Sequence, residues 1–252
     1  MLERVHFSTL KHMQRSPAHY RYEADNRDEK QKGYERGGSA LHSFLLGGKD
    51  VALYEGRRDE RMQAWRDFQE EHVGSIILSA TEHAKAVGMR DSILHHRRAR
   101  ELLVGNREQT IQASWLGRLT EGTPDVFSLE HLTELKTDKS AHPSRFVSIG
   151  KFYGYHAQLA WYRRMLIECG FGTPASYWIV AVESAPPFPV TVFQVTDNAL
   201  ELGERMCRAW MERLLVCEAS DTWPAYAESP VPFDVEEDNF TLRIDGEDVE
   251  VG

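Results

Sequence analysis

The sequence places acidic and basic side chains at a spacing that could do chemistry on a phosphate. Pro124-Asp125 is followed, after eight residues, by Glu134-Leu135-Lys136. Alternate side chains of a β-strand share a face, so Glu134 and Lys136 project together while Leu135 points into the core. If Asp125 begins the partner strand, two carboxylates and a backbone carbonyl suit a hard divalent cation, Mg²⁺ or Mn²⁺. These groups predict phosphodiester hydrolysis, in which Lys136 orients or deprotonates the attacking water or neutralises the phosphate.

The same spacing has a second interpretation. Charged residues make up 27% of the chain. A Glu and a Lys two residues apart on an exposed strand face more often take part in cross-strand ion pairs than in catalysis. The pattern alone does not decide between the two, so the surrounding elements must.

The spacing of apolar residues changes from helical to strand-like along the chain. Ala40, Leu41, Phe44 and Leu45 follow helical spacing ahead of a Gly-Gly pair, whereas residues 109–116 alternate as a strand. We predict helices at 39–46, 60–74, 81–103, 144–169 and 197–217, and strands at 109–116, 125–129, 132–137, 176–182 and 190–195. The strands at 109–137 are expected to form one β-meander. The predicted fold is α/β (α+β), with a central mixed sheet flanked by helices.

Length and charge limit the domain organisation. A chain of 252 residues with a formal charge of −9 can form one large domain or two small ones. Residues 228–252 hold nine Asp or Glu and one Arg, so we divide the chain into one domain at 1–227 and an acidic tail at 228–252. The tail is expected to form a hairpin on Asp245-Gly246. The charged, almost aliphatic-free stretch at 26–36 is expected to be an exposed loop.

Cysteine usage and hydropathy indicate the compartment. Cys169, Cys207 and Cys217 show no C-x-x-C spacing, which argues against a disulfide framework, a zinc knuckle or an iron–sulfur cluster. No apolar stretch approaches the roughly 18 residues of a membrane span, and the N-terminus lacks the apolar segment of a secretion signal. We therefore expect a cytoplasmic protein with reduced, mostly buried cysteines and no membrane partner.

The segment TPDVFSLEHLTELKT resembles the PD-(D/E)xK nuclease motif. The wider chain resembles the RecE/exonuclease VIII-like branch of that superfamily, which is encoded largely by phages and prophages. Four further segments carry this resemblance, in the order of that branch: FSTLKHMQRSPAHYRY, GGSALHSFLL, YGYHAQLAWYRRML and TWPAY. Together they span residues 7–226, and the resemblance implies a restriction-endonuclease-like core.

The resemblance also implies roles for individual residues. Asp125 and Glu134 would be the metal-binding and catalytic carboxylates, the Leu135 carbonyl a further metal ligand, and Lys136 the catalytic lysine. His42 matches the histidine that completes the metal site. A lone histidine on an apolar helix is usually a core residue, but its position in A-L-H after paired glycines favours the ligand.

Other residues are expected to support the site or the substrate. Gln158, three residues after Tyr155, would assist catalysis, and Tyr155 would contact nucleic acid, although helix packing is the simpler explanation for Tyr155. Residues 136–164 hold six Lys or Arg against one Asp, so Lys139 and Lys151 are predicted to contact DNA. A charge run of this kind is otherwise a solvated face.

Three more polar residues lie near the motif. Glu130 and His131 occupy the predicted hairpin turn, which should hold them away from the site. Glu108 immediately precedes the first meander strand. It could be an additional carboxylate of the site, but the motif does not require it and we leave it outside the predicted set.

By resemblance, the predicted function is a Mg²⁺- or Mn²⁺-dependent double-strand exonuclease. It would degrade the 5′-ended strand from DNA ends and leave a 3′ single strand for a single-strand annealing recombinase, as a homo-oligomer in the cytoplasm of a bacterial host. Two alternatives stay open: a non-enzymatic DNA-binding or assembly module on the nuclease fold, and an endonuclease with the same chemistry.

Overall fold

The computed structural model describes residues 4–26, 35–233, 240–244 and 247–251. The α-helices of these residues are α1 (Phe7–Leu10), α2 (Pro17–Asp25), α3 (Glu35–Leu46), α4 (Gln63–Glu71), α5 (Ala80–His95), α6 (Arg97–Glu101), α7 (Pro143–Tyr153), α8 (Tyr155–Glu168) and α9 (Asp197–Ser220). The strands are β1 (Val5–His6), β2 (Val51–Leu53), β3 (Ile76–Leu78), β4 (Asn106–Arg107), β5 (Ile111–Trp115), β6 (Arg118–Gly122), β7 (Val126–Phe127), β8 (Leu132–Asp138), β9 (Tyr177–Glu183), β10 (Val190–Gln194), β11 (Phe240–Ile244) and β12 (Glu247–Val251).

The central sheet has five strands in the order β10-β9-β8-β7-β4. Strands β8 and β9 run parallel in a register that pairs Leu132 with Tyr177 and Lys136 with Ala181, and the other neighbours run antiparallel. Strands β1, β6 and β5 form a second sheet, and β2-β3 and β11-β12 are two-stranded. This mixed α/β architecture confirms the predicted fold class.

The two central strands are covered on both faces. Leu132 of β8 and Ile179 of β9 pack into a hydrophobic cluster that includes residues of α8 and α9. Leu135 and Val180 face the other way, into a cluster that includes residues of α3 and α5. Alternate residues of a strand point to opposite faces, so strands with helices on both sides are apolar almost throughout. The polar Glu134 and Lys136 of β8 are exceptions that need a reason.

Two helices predicted as continuous are broken. The helix predicted at 144–169 is interrupted at Gly154, whose φ of 72° ends α7 and begins α8. The helix predicted at 81–103 is interrupted at His96, whose extended backbone separates α5 from α6. A left-handed residue cannot continue a right-handed helix, and glycine adopts that conformation most easily.

The strands predicted as one meander belong to two sheets. Strand β5 pairs with β6 across a turn at Leu116 and Gly117, both at positive φ. Strand β7 pairs instead with β8 in the central sheet. The prediction of one meander was therefore wrong, and it omitted β6 along with the short strands β1, β2 and β3.

Strands β11 and β12 pair antiparallel in the segment where the sequence predicts a hairpin. Its turn residues, Asp245 and Gly246, lie outside the described residues, as does most of the loop predicted at 26–36. The division between a domain and an acidic tail stays a prediction. Cys207 and Cys217 are buried, Cys169 is half-buried, and all three are free thiols.

Among the described helices, none combines the length and the apolar character that crossing a membrane requires.

Candidate active site

The motif carboxylates meet where β7 and β8 separate. The ladder between these strands ends at the pair of Val126 and Thr133. Beyond it, the Asp125 amide donates to Glu134 Oε1 at 3.2 Å, and the Leu135 amide donates to Asp125 Oδ2 at 2.7 Å. Side-chain oxygens thus replace the ladder acceptors. The amide and carbonyl of one strand residue face the same neighbour, so the Leu135 carbonyl faces the Asp125 side.

Glu134 and Lys136 project from the same face of β8, as the alternation predicts. Lys136 Nζ donates to Glu134 Oε2 at 2.8 Å. The Glu134 side chain is only 2% exposed and that of Lys136 17%. Lys136 Nζ also lies 5.4 Å from the centre of the Tyr155 ring. This is a largely buried ion pair within one strand, unlike the exposed cross-strand pair of the alternative interpretation.

Helix α3 brings His42 to Asp125. Leu41 and Leu45 bury the apolar side of α3 against the sheet. His42 Nδ1 then lies 3.3 Å from Asp125 Oδ1 and 3.7 Å from Glu108 Oε1. One ligand atom from each of these three residues lies within 4.8 Å of the other two. The described residues therefore contain a group able to hold a metal ion, and His42 belongs to it.

Glu108 is the carboxylate that the predicted set left out. It follows β4, and its backbone amide donates to the Asp125 carbonyl at 3.1 Å. Gly48, just after α3 and with φ of 108°, leaves room for it, because a Cβ there would lie 2.8 Å from Glu108 Oε2. The Gly-Gly pair in the sequence predicts a helix end, but it gave no indication of this contact.

Gln158 lies on the α8 side of the motif. Its Nε2 donates to the Tyr162 hydroxyl at 3.3 Å. Burial raises the pKa of Tyr162 well above its ordinary value, and the charge of Glu134 adds to this, so the phenol stays protonated. The Tyr162 side chain is itself buried, at 7% exposure. Gln158 thus adjoins the Glu134 side of the site through Tyr162, and is not one of the three residues grouped around His42.

The sequence matches one protein-family model over most of its length. Residues 6–230 match the family model described as a PDDEXK-like domain of unknown function (DUF3799). The chain belongs to this family. No curated protein sequence matches it.

One solved structure supports the fold of this PDDEXK-like chain, and a second is only weakly similar. A crystal structure from Eubacterium rectale named as a "Putative exonuclease" superimposes with a TM-score of 0.64 at 14% identity, covering 91% of each chain. An alkaline exonuclease from Laribacter hongkongensis gives a TM-score of 0.31 at 15% identity, covering 75% of this chain and 98% of that one. The second similarity is too weak to support an argument. The first shows a shared fold.

The donor set of the PDDEXK-like site suits a divalent cation. His42 offers an imidazole nitrogen, and Glu108 and Asp125 offer carboxylate oxygens, from three separate elements that the fold brings together. Hard cations such as Mg²⁺ and Mn²⁺ prefer carboxylate oxygens, which supply two of the three donors here. The residues present therefore fit a metal of this class.

A proton on His42 offsets part of the negative charge of the metal-binding group. Burial alone would lower the pKa of His42, but Asp125 and Glu108 outweigh it and raise that pKa to about 10. Burial would raise the pKa of Asp125, yet His42, Lys136 and the Leu135 amide lower it. His42 is thus protonated at neutral pH without a metal, and a divalent cation would compete with that proton.

Burial and neighbouring charges also shift the pKa values of Glu134 and Lys136, the ion pair beside this group. Burial and the Asp125 charge raise the pKa of Glu134 to about 7, against the opposing effect of Lys136. Burial would lower the pKa of Lys136, but Glu134 and Asp125 outweigh it and raise that pKa. Lys136 therefore stays charged at neutral pH.

The two predicted DNA-contacting lysines lie in different places. Lys139 lines a cavity of about 950 Å³ beside the end of β8, together with Lys85, Arg145 and Tyr153. Lys151 lines a separate cavity of about 350 Å³ that includes residues of α7, α8 and α9. The structure does not bring Lys139 and Lys151 together.

The turn residues Glu130 and His131 lie just before the first residue of β8, at the opposite end of that strand from Lys139. Glu130 is exposed, and His131 Nδ1 lies 2.9 Å from Thr133 Oγ1. At about 3.3 Å per strand residue, His131 is roughly 10 Å along the strand from Glu134. Neither belongs to the group around His42, in agreement with the prediction.

Proposed function

We propose that this protein is a metal-dependent nuclease that hydrolyses phosphodiester bonds in DNA. One observation supports this most directly: His42, Glu108 and Asp125 converge within 4.8 Å of one another, and Asp125 is hydrogen bonded to the residue that holds Lys136 in place. A cation site and a fixed ammonium group on neighbouring strands are the two charges that phosphoryl transfer requires.

Each side chain has a role in this proposal. A divalent cation held by His42, Glu108 and Asp125 would polarise a phosphoryl oxygen and stabilise the leaving oxygen. Lys136 donates hydrogen bonds to the attacking water or to a non-bridging phosphate oxygen. Glu134, which the resemblance makes a metal ligand, is not one of the three residues grouped around His42, and in this proposal it fixes the Lys136 ammonium group. The Leu135 carbonyl faces the cation side as a further oxygen donor.

The finer proposal concerns the substrate and the product. We propose a double-strand exonuclease that degrades the 5′-ended strand from DNA ends and leaves 3′ single strands for a single-strand annealing recombinase. The resemblance of the sequence to RecE-like exonucleases and the fold shared with the Eubacterium rectale protein support this. We further propose a homo-oligomer acting in the cytoplasm of a bacterial host, where the DNA lies.

The alternative of a non-enzymatic DNA-binding module has less support. A chain that had lost catalysis would be expected to lack the lysine or one of the carboxylates. Asp125, Glu134 and Lys136 are all present and joined by hydrogen bonds.

Cleavage assays on two DNA topologies test the proposal. Linear duplex and closed circular duplex are incubated with Mg²⁺, with Mn²⁺ and with EDTA, using Lys136→Ala as the inactive control. We expect mononucleotides from linear DNA only, metal dependence, and 5′→3′ polarity on end-labelled duplexes. Cleavage of the circle would indicate an endonuclease. Binding without any cleavage would support the non-enzymatic module.

A further inference from the structure

Three aromatic rings form a row that runs from the surface to Lys136. The Phe152 and Tyr153 rings meet edge to face, with centroids 5.2 Å apart. The Tyr153 and Tyr155 rings are stacked, with centroids 6.0 Å apart and planes 22° from parallel. Lys136 Nζ lies 5.4 Å from the centre of the Tyr155 ring. We name Phe152, Tyr153 and Tyr155 the aromatic ladder.

The inner end of the ladder is held rigidly. Tyr155 packs on buried Phe146 at 5.7 Å, and Phe146 stacks on Phe193 at 4.8 Å. Gly150 makes room for Tyr155, because a Cβ there would lie 3.1 Å from Tyr155 Cδ2. The turn between α7 and α8 at Gly154 brings rings from two successive helices into one stack.

The outer end of the ladder is open to solvent. Phe152 is 70% exposed and Tyr153 49%. A ring packed in a core would be covered, and Phe146, seven residues before Tyr153 on the same helix, is 2% exposed. The two exposed rings, which meet edge to face, therefore offer flat surfaces to a ligand that is itself flat.

The two outer rings of the ladder line different cavities, and each cavity contains positive charge. Phe152 lines the cavity of about 350 Å³ that contains Lys151. Tyr153 lines the cavity of about 950 Å³ that also contains Lys85, Lys139 and Arg145. Within the part of the chain that the structure describes, none of these three cations makes an ion pair with a carboxylate.

The acidic residues of the same cavity have other partners. Glu82 accepts hydrogen bonds from the Ser79 amide and hydroxyl and pairs with Arg58. Asp138 Oδ1 accepts a hydrogen bond from the Ser140 amide at 3.2 Å. The surplus charge of the cavity is positive, which is complementary to a phosphate backbone.

We propose that the aromatic ladder is a stacking platform for unpaired bases of a single DNA strand, whose phosphates follow Lys85, Lys139 and Arg145 to the site of Lys136. A positively charged groove beside aromatic side chains is the general chemistry of single-strand binding, because every base has a π-face. In a duplex, base faces are covered by neighbouring base pairs, so the occupant is a single-stranded end. This inference rests on the proposed function and adds the form in which the substrate strand lies in the site.

Binding measured without metal tests the platform independently of cleavage. The probe is a fluorescein-labelled 20-nucleotide oligothymidylate, which has no internal pairing, and its anisotropy is followed in EDTA with the full chain. We expect Phe152→Ala and Tyr153→Ala each to weaken binding at least about fivefold, and Phe152→Trp to retain it, since removal of one stacked ring costs about 1–3 kcal/mol. Phe152→Leu, which keeps an apolar side chain without the ring, should resemble Phe152→Ala.

Phe171→Ala is the matched control. Phe171 is a partly exposed aromatic residue beyond the far end of α8, roughly 20 Å from Tyr155 by helix length, and its removal should change binding less than twofold. Circular dichroism verifies that each variant folds. Wild-type oligothymidylate affinity in folded Phe152→Ala and Tyr153→Ala would overturn the proposal. A change of oligomeric state in sedimentation, with DNA affinity unchanged, would assign the rings to contact between copies and overturn it equally.

Discussion

The Lys136 ammonium group lies 2.8 Å from the buried Glu134 carboxylate on one face of β8, and the Lys136 side chain is 17% exposed. A buried ion pair contributes little net stability, because desolvation offsets the attraction. Its effect here is on protonation: the surrounding carboxylates raise the pKa of Lys136. A lysine held charged at neutral pH is a hydrogen-bond donor and a positive charge, not a base. Of the roles that the sequence left open, orienting the water or neutralising the phosphate fits this geometry.

Lys136→Ala should abolish most cleavage while the protein stays folded. We expect loss of one transition-state contact to reduce turnover on linear duplex DNA about 10²–10³-fold or more. Lys136→Arg keeps the charge and should retain more activity than the alanine variant. Thermal unfolding checks the fold of both. Wild-type turnover in folded Lys136→Ala would show that the lysine takes no part in the reaction.

The motif was predictable because its geometry is local. Glu134 and Lys136 share a face by strand alternation alone, and Asp125 is brought to them by a short hairpin within the same segment. The contact of His42 with Asp125 joins residues far apart in sequence. Composition and periodicity indicate a buried helix around His42, and only the resemblance assigned this histidine to the site.

Glu108 could not be assigned from the sequence for a physical reason. Its position depends on β4, a strand of two residues that pairs with β7 and so sets Glu108 beside Asp125. Neither residue of β4, Asn106 or Arg107, has the β-branched or aromatic side chain that marks a strand. The break at Gly154 was also not predicted, because helical segments flank it on both sides and a single glycine can lie within a continuous helix.

Glu108→Gln should weaken Mn²⁺ binding, because an amide oxygen replaces a charged carboxylate in the group around His42. We expect at least about tenfold lower affinity by calorimetric titration, comparable to that of Asp125→Asn. Glu130→Gln removes an exposed carboxylate from the turn of the same hairpin and serves as the control. Equal Mn²⁺ affinity in the Glu108 and Glu130 variants would exclude Glu108 from the site.

Mn²⁺ binding should release a proton from His42. The pKa of about 10 keeps the imidazole charged at pH 7.5 in the metal-free protein, and a ligand imidazole must be neutral. Titrations in two buffers of different ionisation enthalpy should show release of about one proton for the wild type and much less for His42→Ala, with clearly lower affinity. His95→Ala, at an exposed histidine, should resemble the wild type. Unchanged Mn²⁺ affinity in His42→Ala, with only a loss of stability, would make His42 a packing residue.

The stability of the metal-free protein should fall as pH rises above neutral. The folded-state pKa of His42 is about 10 against an ordinary 6.5, so its stabilising contribution is complete below pH 6.5 and is lost as pH rises towards 10. Asp125, whose pKa is lowered, is ionised throughout this range and contributes no change. We expect the melting temperature in EDTA to drop by several degrees between pH 6.5 and 10, and to drop less in His42→Asn. Identical pH profiles for the two proteins would contradict the assignment.

Gly154→Ala should destabilise the fold through backbone conformation alone. A Cβ at this position would meet its nearest neighbours at 3.8–3.9 Å, which is ordinary contact, but φ of 72° and ψ of 34° are left-handed. That conformation costs an L-residue roughly 1–2 kcal/mol, and less for asparagine. Urea unfolding should therefore rank the wild type above Gly154→Asn, and Gly154→Ala last. Gly37→Ala lies in α3 with no atom within 4 Å of the added methyl group, and should be neutral or slightly stabilising. If Gly154→Ala unfolded at the wild-type urea concentration, the helix break would not depend on the glycine.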